Sequence, residues 1–218
     1  MQDKLISSAS MDRVLGMLGG RDVTDQRLRD WCASADVIYA ADCGADRVIG
    51  FGFKPIVVGD FDSFTSLDSS HGLRLEKSTD QSTTDCDKLL DLVENDGHQA
   101  VTLAGSEGDL PDHVLATYSS AQKSHLQVRI AYRRGIGWLV RPGVKLDVSC
   151  RRGQRVSLIP LDVCIGVQLS GVEWPLTGVT LAPSGALSVS NCSVETVITA
   201  SLDSGCALLF LETPEVRW

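Results

Sequence analysis

At residues 55–63 the chain reads PIVVGDFDS, an apolar run followed directly by two carboxylates. The run Pro55–Val58 is typical of a buried strand, because it is continuously apolar. Side chains alternate along an extended chain, so Asp60 and Asp62 are expected to point to the same side, where one cation would contact both. Oxygen ligands next to a substrate's phosphates suit Mg²⁺. The stretch therefore predicts an open α/β sheet with phosphoryl chemistry at the carboxyl ends of its strands.

Polar clusters also follow the neighbouring predicted strands. Taken alone, each has an ordinary explanation: Asp85, for example, is a common first residue of a helix, because the helix dipole favours negative charge there. If the clusters converge at one edge of the sheet, a functional role is favoured for Asp60, Asp62 and Asp85. The clusters are ADCGAD at 41–46, DQSTTD at 80–85 with Lys88 one turn into the next helix, and GSEGDLPDH at 105–113.

The charge distribution limits the ligands that this edge can accept. The 218-residue chain has a formal net charge of −8, and ten acidic residues stand against three basic ones between positions 60 and 96. Such a surface repels the phosphates of nucleic acids, so a phosphate ligand approaches it only with metal ions in between. A solvated acidic face is the alternative explanation for part of this excess. No Gly-x-x-x-x-Gly-Lys-Ser/Thr sequence occurs, which excludes a P-loop enzyme.

Cysteine usage and hydropathy indicate the compartment. The first residues lack the basic-then-apolar order of a signal peptide, and no apolar run approaches the length of a membrane span. Seven cysteines are scattered without a Cys-x-x-Cys pair, so neither a zinc site nor a disulfide framework is indicated. We therefore expect a cytoplasmic protein with reduced thiols and no membrane partner.

Two patterns divide the chain near Gly135. Before it, short apolar runs alternate with amphipathic segments, as in a Rossmann-like, mostly parallel sheet. Two helices are predicted most clearly: one begins near Asp85, and the other covers residues 111–124. After it, short β-branched runs between glycines and prolines predict an antiparallel β-sandwich. The predicted domains are residues 1–134 and 135–218. The predicted strands are 13–18, 37–41, 55–58, 72–75, 100–103, 127–132, 138–140, 144–148, 156–160, 163–169, 187–190, 196–202 and 206–211.

Four motifs, in this order, resemble those of the thiamin pyrophosphokinase family. They are Ala-Asp-x-Gly-Ala, Gly-Asp-Phe-Asp-Ser, Asp-Gln-x-x-Thr-Asp-x-x-Lys and a Gly-x-x-Gly loop followed by Asp-His. The second half is similar to that family's thiamin-binding domain at VSLIPL (156–161), GVEWPL (171–176) and SVSN (188–191). The resemblance covers most of the chain, and four ordered motifs are far more specific than any one of them.

The resemblance implies transfer of a pyrophosphoryl group from ATP to the hydroxyl of thiamin, giving thiamin diphosphate and AMP. It also implies dependence on Mg²⁺ and a homodimer with thiamin near the subunit interface. Trp174 would offer an aromatic face to the flat cationic heterocycle; the alternative is a tryptophan of the core or of the dimer interface. The implied metal ligands are Asp60, Asp62 and Asp85, which with Asp112 form the catalytic set; the nucleotide site adds Asp42, Gln81, Lys88, Gly105 and Gly108; the thiamin site has Trp174, Ser188, Ser190 and Asn191.

The loop before the last predicted helix departs from the family pattern. Leu110 stands where the family's loop carries an arginine, and Asp109 adds a negative charge beside it. Arg21, in the turn after the first strand, could supply the charge instead, although an ordinary loop arginine is the commoner case. The alternative function is a non-catalytic or repurposed homologue that binds thiamin or a related metabolite. A nucleotide-sugar transferase would explain only the Asp60-x-Asp62 motif.

Overall fold

Fourteen strands and four helices occur in residues 13–62, 64–65 and 72–213, the part of the chain that the computed structural model describes. Ser63 of the quoted stretch, Asp68 of the acidic segment and the first twelve residues lie outside this part. The helices are α1 (Asp25–Ser34), α2 (Asp42–Gly50), α3 (Asp85–Asn95) and α4 (Pro111–Lys123). The strands are β1 (Val14–Met17), β2 (Val37–Ala41), β3 (Ile56–Gly59), β4 (Leu75–Lys77), β5 (Ala100–Ala104), β6 (Gln127–Tyr132), β7 (Gly135–Val140), β8 (Leu146–Ser149), β9 (Arg155–Pro160), β10 (Cys164–Ser170), β11 (Leu176–Leu181), β12 (Ser188–Cys192), β13 (Val197–Ser201) and β14 (Ala207–Glu212).

The first six strands form the predicted parallel sheet, in the order β4-β3-β2-β1-β5-β6. The two faces of this sheet contribute to separate apolar cores: Leu28 and Trp31 of α1 belong to one, and Leu89 of α3 belongs to the other. The chain leaves β1 towards β2 on one side and later returns to β5 on the other. This reversal of strand order is the place where open α/β sheets bind ligands.

The remaining strands form the predicted antiparallel sandwich. Strands β7, β14, β9 and β12 extend the first sheet, and β11-β10-β13-β8 form a second one. Side chains from both sheets share one apolar core, in which Leu158, Leu209 and Ile198 are fully buried. The fold class predicted from the sequence is therefore confirmed. The boundary near Gly135 stays a prediction, because the first sheet continues across it through the antiparallel pair β6–β7.

Local sequence signals explain where α3 begins and how it packs. Thr84 and Asp87 form a capping box, in which each side chain accepts a hydrogen bond from the other residue's backbone N–H. Leu89, Leu90 and Val93 form the buried face of the helix, as their helical spacing predicts. By contrast, hydrophobic periodicity does not predict α2, because this helix has only nine residues and contains Gly44. A Cβ at Gly44 would lie 2.8 Å from the carbonyl oxygens of Met17 and Leu18, so glycine lets α2 approach β1.

A polar network at the C-terminal end of α3 is expected to make a pH-dependent contribution to stability. Asp96 accepts hydrogen bonds from Tyr39 Oη (2.6 Å) and from Arg74 Nη1 (2.6 Å) and Nη2 (3.0 Å). Arg74 above all, with help from Tyr39, holds the pKa of Asp96 below its usual range. This stabilisation is present above the unfolded-state pKa of aspartate and is lost as the pH falls towards the lower folded-state pKa.

We expect Asp96→Asn to lower the free energy of unfolding at pH 7 by about 1–2 kcal/mol, because Arg74 is half-exposed and water weakens its ion pair. Urea denaturation of both proteins at pH 7 and at pH 3 measures the effect. The difference between wild type and variant should shrink at pH 3. A difference of the same size at both pH values would contradict the assigned role of the Asp96 carboxylate.

Candidate active site

Three carboxylates meet beyond the ends of β2 and β3. Ligand oxygens of Asp42, Asp60 and Asp62 all lie within 4.8 Å of one another. A second group shares Asp42 and joins it to Asp85, at the start of α3, and to the Cys43 sulfur, again within 4.8 Å. The polar clusters that follow separate strands in the sequence are thus neighbours in the folded chain.

The two carboxylates of the Asp-x-Asp motif converge through a turn. The expectation of an extended chain is wrong here, because Phe61 has a φ of +67°, which is uncommon and strained for a residue other than glycine. The Asp62 N–H donates to Asp60 Oδ1 (3.2 Å), which closes the turn. Phe61 and Phe64 have ring centroids 6.1 Å apart, and both residues belong to the core on the α1 face. This packing helps to hold the strained residue in place.

Asp42 links the turn to the first turn of α2. Asp42 is buried, with only 2% of its surface exposed to solvent. Oδ1 accepts from its neighbour Cys43 N–H (2.7 Å), and Oδ2 accepts from Phe61 N–H (3.1 Å). Burial, followed by the negative charges of Asp85 and Asp60, raises the pKa of Asp42. A bound cation would relieve both of these unfavourable effects.

Asp60 has the opposite electrostatic character. Its pKa is lowered by the backbone N–H of Asp62, then by the Gln81 side chain and by the positive charge of Lys88. Gln81 Nε2 donates to Asp60 Oδ2 at 3.2 Å. The buried Lys88 donates from Nζ to Asp85 Oδ1 at 3.3 Å. Gln81, Asp85 and Lys88 therefore join the same site as the Asp-x-Asp turn.

This donor set fits Mg²⁺. The first group of ligands consists of carboxylate oxygens alone, the donors that a hard divalent cation prefers. Three carboxylates held this close together repel one another, and Lys88 neutralises only part of that charge. The arrangement thus favours a divalent cation with free positions for water and phosphate oxygens.

Gly59 is a residue of the site that sequence reasoning misses. It ends β3, and a Cβ built on it would lie 2.7 Å from Asp42 Cγ and 2.8 Å from Oδ2. Only a residue without a side chain lets the buried carboxylate approach the strand this closely. The available signal in the sequence is a glycine placed between a buried strand and the first carboxylate.

We expect Gly59→Ala to push Asp42 away from Asp60 and Asp62, and so to weaken Mg²⁺ binding by about 10-fold or more, as loss of a positioning contact does at other metal sites. Isothermal titration with Mg²⁺ measures the change. Gly50→Ala is the matched control, because a Cβ at Gly50 meets nothing within 4 Å. Equal Mg²⁺ affinity in the two variants would contradict the spacing role of Gly59.

The glycine loop after β5 packs against the turn after β1. Gly20 N–H donates to the carbonyl of Gly105 at 2.7 Å. A Cβ on Gly20 would lie 2.1 Å from the carbonyl oxygen of Glu107. Gly105 and Gly108 have φ values of +78° and +79°, in the left-handed region that favours glycine. The two loops are thus a single rigid unit beside the carboxylates, whereas their role in nucleotide binding stays a prediction.

The start of α4 is open to solvent. Leu110, at the position of the family's arginine, is 61% exposed. Asp109 accepts from the Leu110 N–H (2.8 Å) and lies 3.3 Å from His113 Nδ1. Asp112 is exposed in the first turn of α4 and belongs to neither group of metal-ligating side chains in the described residues.

The predicted thiamin-site residues cluster around β12. The buried Asn191 donates from Nδ2 to the Trp174 carbonyl (2.8 Å), while its Oδ1 accepts from the Trp174 N–H (3.1 Å) and from the Cys192 N–H (2.8 Å). The side-chain amide is thus used largely on the backbone. Trp174 itself is 59% exposed, so an aromatic surface faces outwards beside the edge strand.

Ser190 lies in an irregular part of β12. Its φ is +60°, and the pairing register between β12 and β9 shifts between Ser188 and Asn191. Ser190 N–H donates to Ser157 Oγ (3.1 Å), and its Oγ accepts from Arg155 Nη2 (2.8 Å). Ser188 is buried at 9% exposure. A strained non-glycine residue in a bulge beside an exposed tryptophan is typical of a binding site.

Comparison with known proteins links both halves of the chain to one family. Residues 28–132 match the family model of the thiamin pyrophosphokinase catalytic domain, and residues 144–207 match that of the thiamin pyrophosphokinase vitamin B1 binding domain. A search of curated proteins found no significant match. Among the described residues, no helix combines the length and apolar character that crossing a membrane requires.

Several solved structures with the same fold are described as thiamin pyrophosphokinases. Thiamine pyrophosphokinase from Bacillus subtilis has 19% identity and a TM-score of 0.77, over 93% of this chain and 100% of its own. The Candida albicans enzyme has 18% identity and a TM-score of 0.72, over 93% of this chain and 89% of its own. The yeast enzyme has 12% identity and a TM-score of 0.73, over 93% and 86% respectively.

Proposed function

Because the chain belongs to the thiamin pyrophosphokinase family, we propose that it transfers a pyrophosphoryl group from ATP to the hydroxyl of thiamin. The hydroxyl oxygen attacks the β-phosphorus, the bond between the α- and β-phosphates breaks, and thiamin diphosphate and AMP leave. The observation that carries the proposal is the group formed by Asp42, Asp60 and Asp62, whose oxygens lie within 4.8 Å of one another.

We propose that the carboxylates hold Mg²⁺, with Asp60 and Asp62 as ligands. Asp85 is the third proposed ligand, and it lies next to Asp42, which the two groups share. Mg²⁺ bound there supplies positive charge against the negative charge that builds on the phosphate oxygens during transfer. Gln81 orients Asp60 through its 3.2 Å hydrogen bond. The buried Lys88 provides a fixed positive charge beside Asp85 and contributes to electrostatic stabilisation of the transferred group.

The thiamin hydroxyl must also lose a proton. Two carboxylates are candidates for the acceptor. Asp85 lies in the cluster but is paired with Lys88, whereas Asp112 is exposed at the start of α4. A carboxylate at either place has to lie within hydrogen-bond reach of the hydroxyl to act as a base.

The proposed thiamin site requires a second copy of the chain. Asn191, which binds the Trp174 backbone, lies in β12 at one end of the ten-stranded sheet, whereas Asp42 follows β2 near the other end. Seven strand spacings separate β12 from β2, a distance of about 30 Å. A single thiamin molecule does not span this distance. We therefore propose a homodimer in which the heterocycle stacks on Trp174 of one subunit while its hydroxyl meets the carboxylates of the other.

Product analysis tests the proposed reaction. The purified chain is incubated with thiamin, ATP and Mg²⁺, and AMP, ADP and thiamin diphosphate are quantified with and without a chelator. Equal amounts of AMP and thiamin diphosphate, lost on chelation, are the expected result. Formation of ADP in place of AMP would contradict transfer of a pyrophosphoryl group. Thiamin binding without any turnover would identify a non-catalytic homologue.

Complementation tests the shared site. Asp62→Asn damages the carboxylate half of the shared site, and Trp174→Ala damages the thiamin-binding half. Each homodimer should therefore have little activity. When the two variants are co-expressed, half of the dimers are mixed and each has one intact site, so about a quarter of wild-type activity is expected. No recovery in verified mixed dimers would contradict a site shared between subunits. The cytoplasmic location, and the absence of nucleic-acid and membrane partners, stay predictions.

A further inference from the structure

A cleft of about 710 Å³ opens beyond the carboxyl end of β1. The turn after β1 lines it with Gly19 and Arg21, and the first turn of α2 lines it with Cys43 and Gly44. Cys43 also belongs to the group that contains Asp42 and Asp85. The cleft is therefore next to the carboxylate site and open to a ligand that occupies both.

The basic side chains near the cleft differ in how many hydrogen bonds and ion pairs they already make within the protein. Lys88 is paired with Asp85, and Arg27 donates to the carbonyl of Arg133. Arg47 donates to Asp25 Oδ1 from Nη2 (2.7 Å) and Nε (3.2 Å), and Nη2 also donates to the Val23 carbonyl. Arg21 is exposed and makes no hydrogen bond or ion pair with any residue that the structure describes.

A second guanidinium also has hydrogen-bonding capacity left in the cleft. Arg47 Nη1 is buried, yet it has no partner among residues 13–62, 64–65 and 72–213. Buried donors are nearly always satisfied, so an unused one points to an acceptor that is absent from the protein chain itself. Together with Arg21, it makes the cleft suited to an anion with several oxygens.

The turn that carries Arg21 is held rigidly. Leu18 N–H donates to the Ala104 carbonyl (2.8 Å), and Gly20 N–H donates to the Gly105 carbonyl (2.7 Å). On the facing loop, Leu110 brings no charge, and Asp109 Oδ2 lies 3.4 Å from the position of a Cβ on Gly19. A polyphosphate entering here thus meets the negative charge of Asp109 and needs a cation from the β1 turn.

We propose that Arg21 binds the phosphates of the nucleoside triphosphate and supplies the positive charge that the loop at Leu110 lacks. This role rests on the proposed function, since it assumes a nucleotide at the carboxylate site. Arg21 presents its guanidinium from the rigid turn, and Arg47 Nη1 lies in the same cleft as an additional donor.

Binding and kinetics of Arg21→Gln and Arg21→Lys test the inference, with Arg152→Gln in a turn of the sandwich as the charge-matched control. Titration with α,β-methylene-ATP and Mg²⁺ should show affinity about 10-fold or more weaker in Arg21→Gln, partial recovery in Arg21→Lys and no change in the control. KM for ATP should rise in parallel, while KM for thiamin stays unchanged.

The two proposals fail in different ways. Wild-type turnover with unchanged nucleotide affinity in Arg21→Gln would overturn the role of Arg21 and leave the enzymatic function intact. Nucleotide binding that depends on Arg21, without any turnover, would support the role of Arg21 and overturn the reaction. If the wild-type protein binds no α,β-methylene-ATP in the presence of Mg²⁺, the role of Arg21 is overturned as well.

Discussion

Asp60→Asn and Asp62→Asn are each expected to lower the Mg²⁺-dependent kcat by about 100-fold or more, as loss of one electrostatic contact to a developing charge does in other enzymes. Both changes keep the shape of the side chain and remove a negative charge from the group in which the carboxylate oxygens lie within 4.8 Å of one another. Asp60→Asn also places an amide where Oδ1 and Oδ2 accept hydrogen bonds from Asp62 N–H and Gln81.

The measurement is the rate of AMP formation as a function of Mg²⁺ concentration. Asp91→Asn on the exposed side of α3 is the matched control, since it makes the same chemical change outside the carboxylate groups. Circular dichroism and urea denaturation confirm that each variant is folded. Full Mg²⁺-dependent turnover in both Asp60→Asn and Asp62→Asn would show that the proposed metal role is wrong.

Asn191→Ala is expected to lower the free energy of unfolding by about 3 kcal/mol, because each buried backbone group left without a partner costs about 1–3 kcal/mol. The truncation removes the acceptor for the Trp174 and Cys192 N–H groups and the donor to the Trp174 carbonyl. Trp174 then loses its fixed position, so KM for thiamin should rise as well. In this interpretation Asn191 is a positioning residue for the aromatic ring.

Urea denaturation and thiamin kinetics separate the two consequences. Asn95→Ala at the exposed end of α3 makes the same substitution and should change stability by less than about 0.5 kcal/mol. Trp174→Ala, whose ring is 59% exposed, should raise KM for thiamin with little loss of stability. A stable Asn191→Ala with an unchanged KM for thiamin would contradict the positioning role.

The sequence predicted those strands and helices whose pattern lies within a few neighbouring residues. Strands β2 and β6 and the start of α3 agree with the structure to the residue, because a short apolar run and a helix N-cap are properties of a few neighbouring residues. The sequence analysis missed α1, α2 and β11. The predicted strand 72–75 shares only Leu75 with β4, an edge strand of three residues whose pairing depends on β3.

The amino-acid sequence by itself determined most of the strands, the helices α3 and α4, the placement of carboxylates after successive strands, and the family motifs. Each of these depends on residues that are close together in the chain. Only the tertiary structure decided that Phe61 takes a left-handed conformation, that Gly59 makes room for Asp42 and that Asn191 is engaged with the Trp174 backbone. It also placed Asn191, which binds the Trp174 backbone, and the carboxylates near opposite ends of one sheet. The physical reason is that periodicity specifies which face of an element is buried, whereas strand order and close backbone contacts arise from pairing between distant segments.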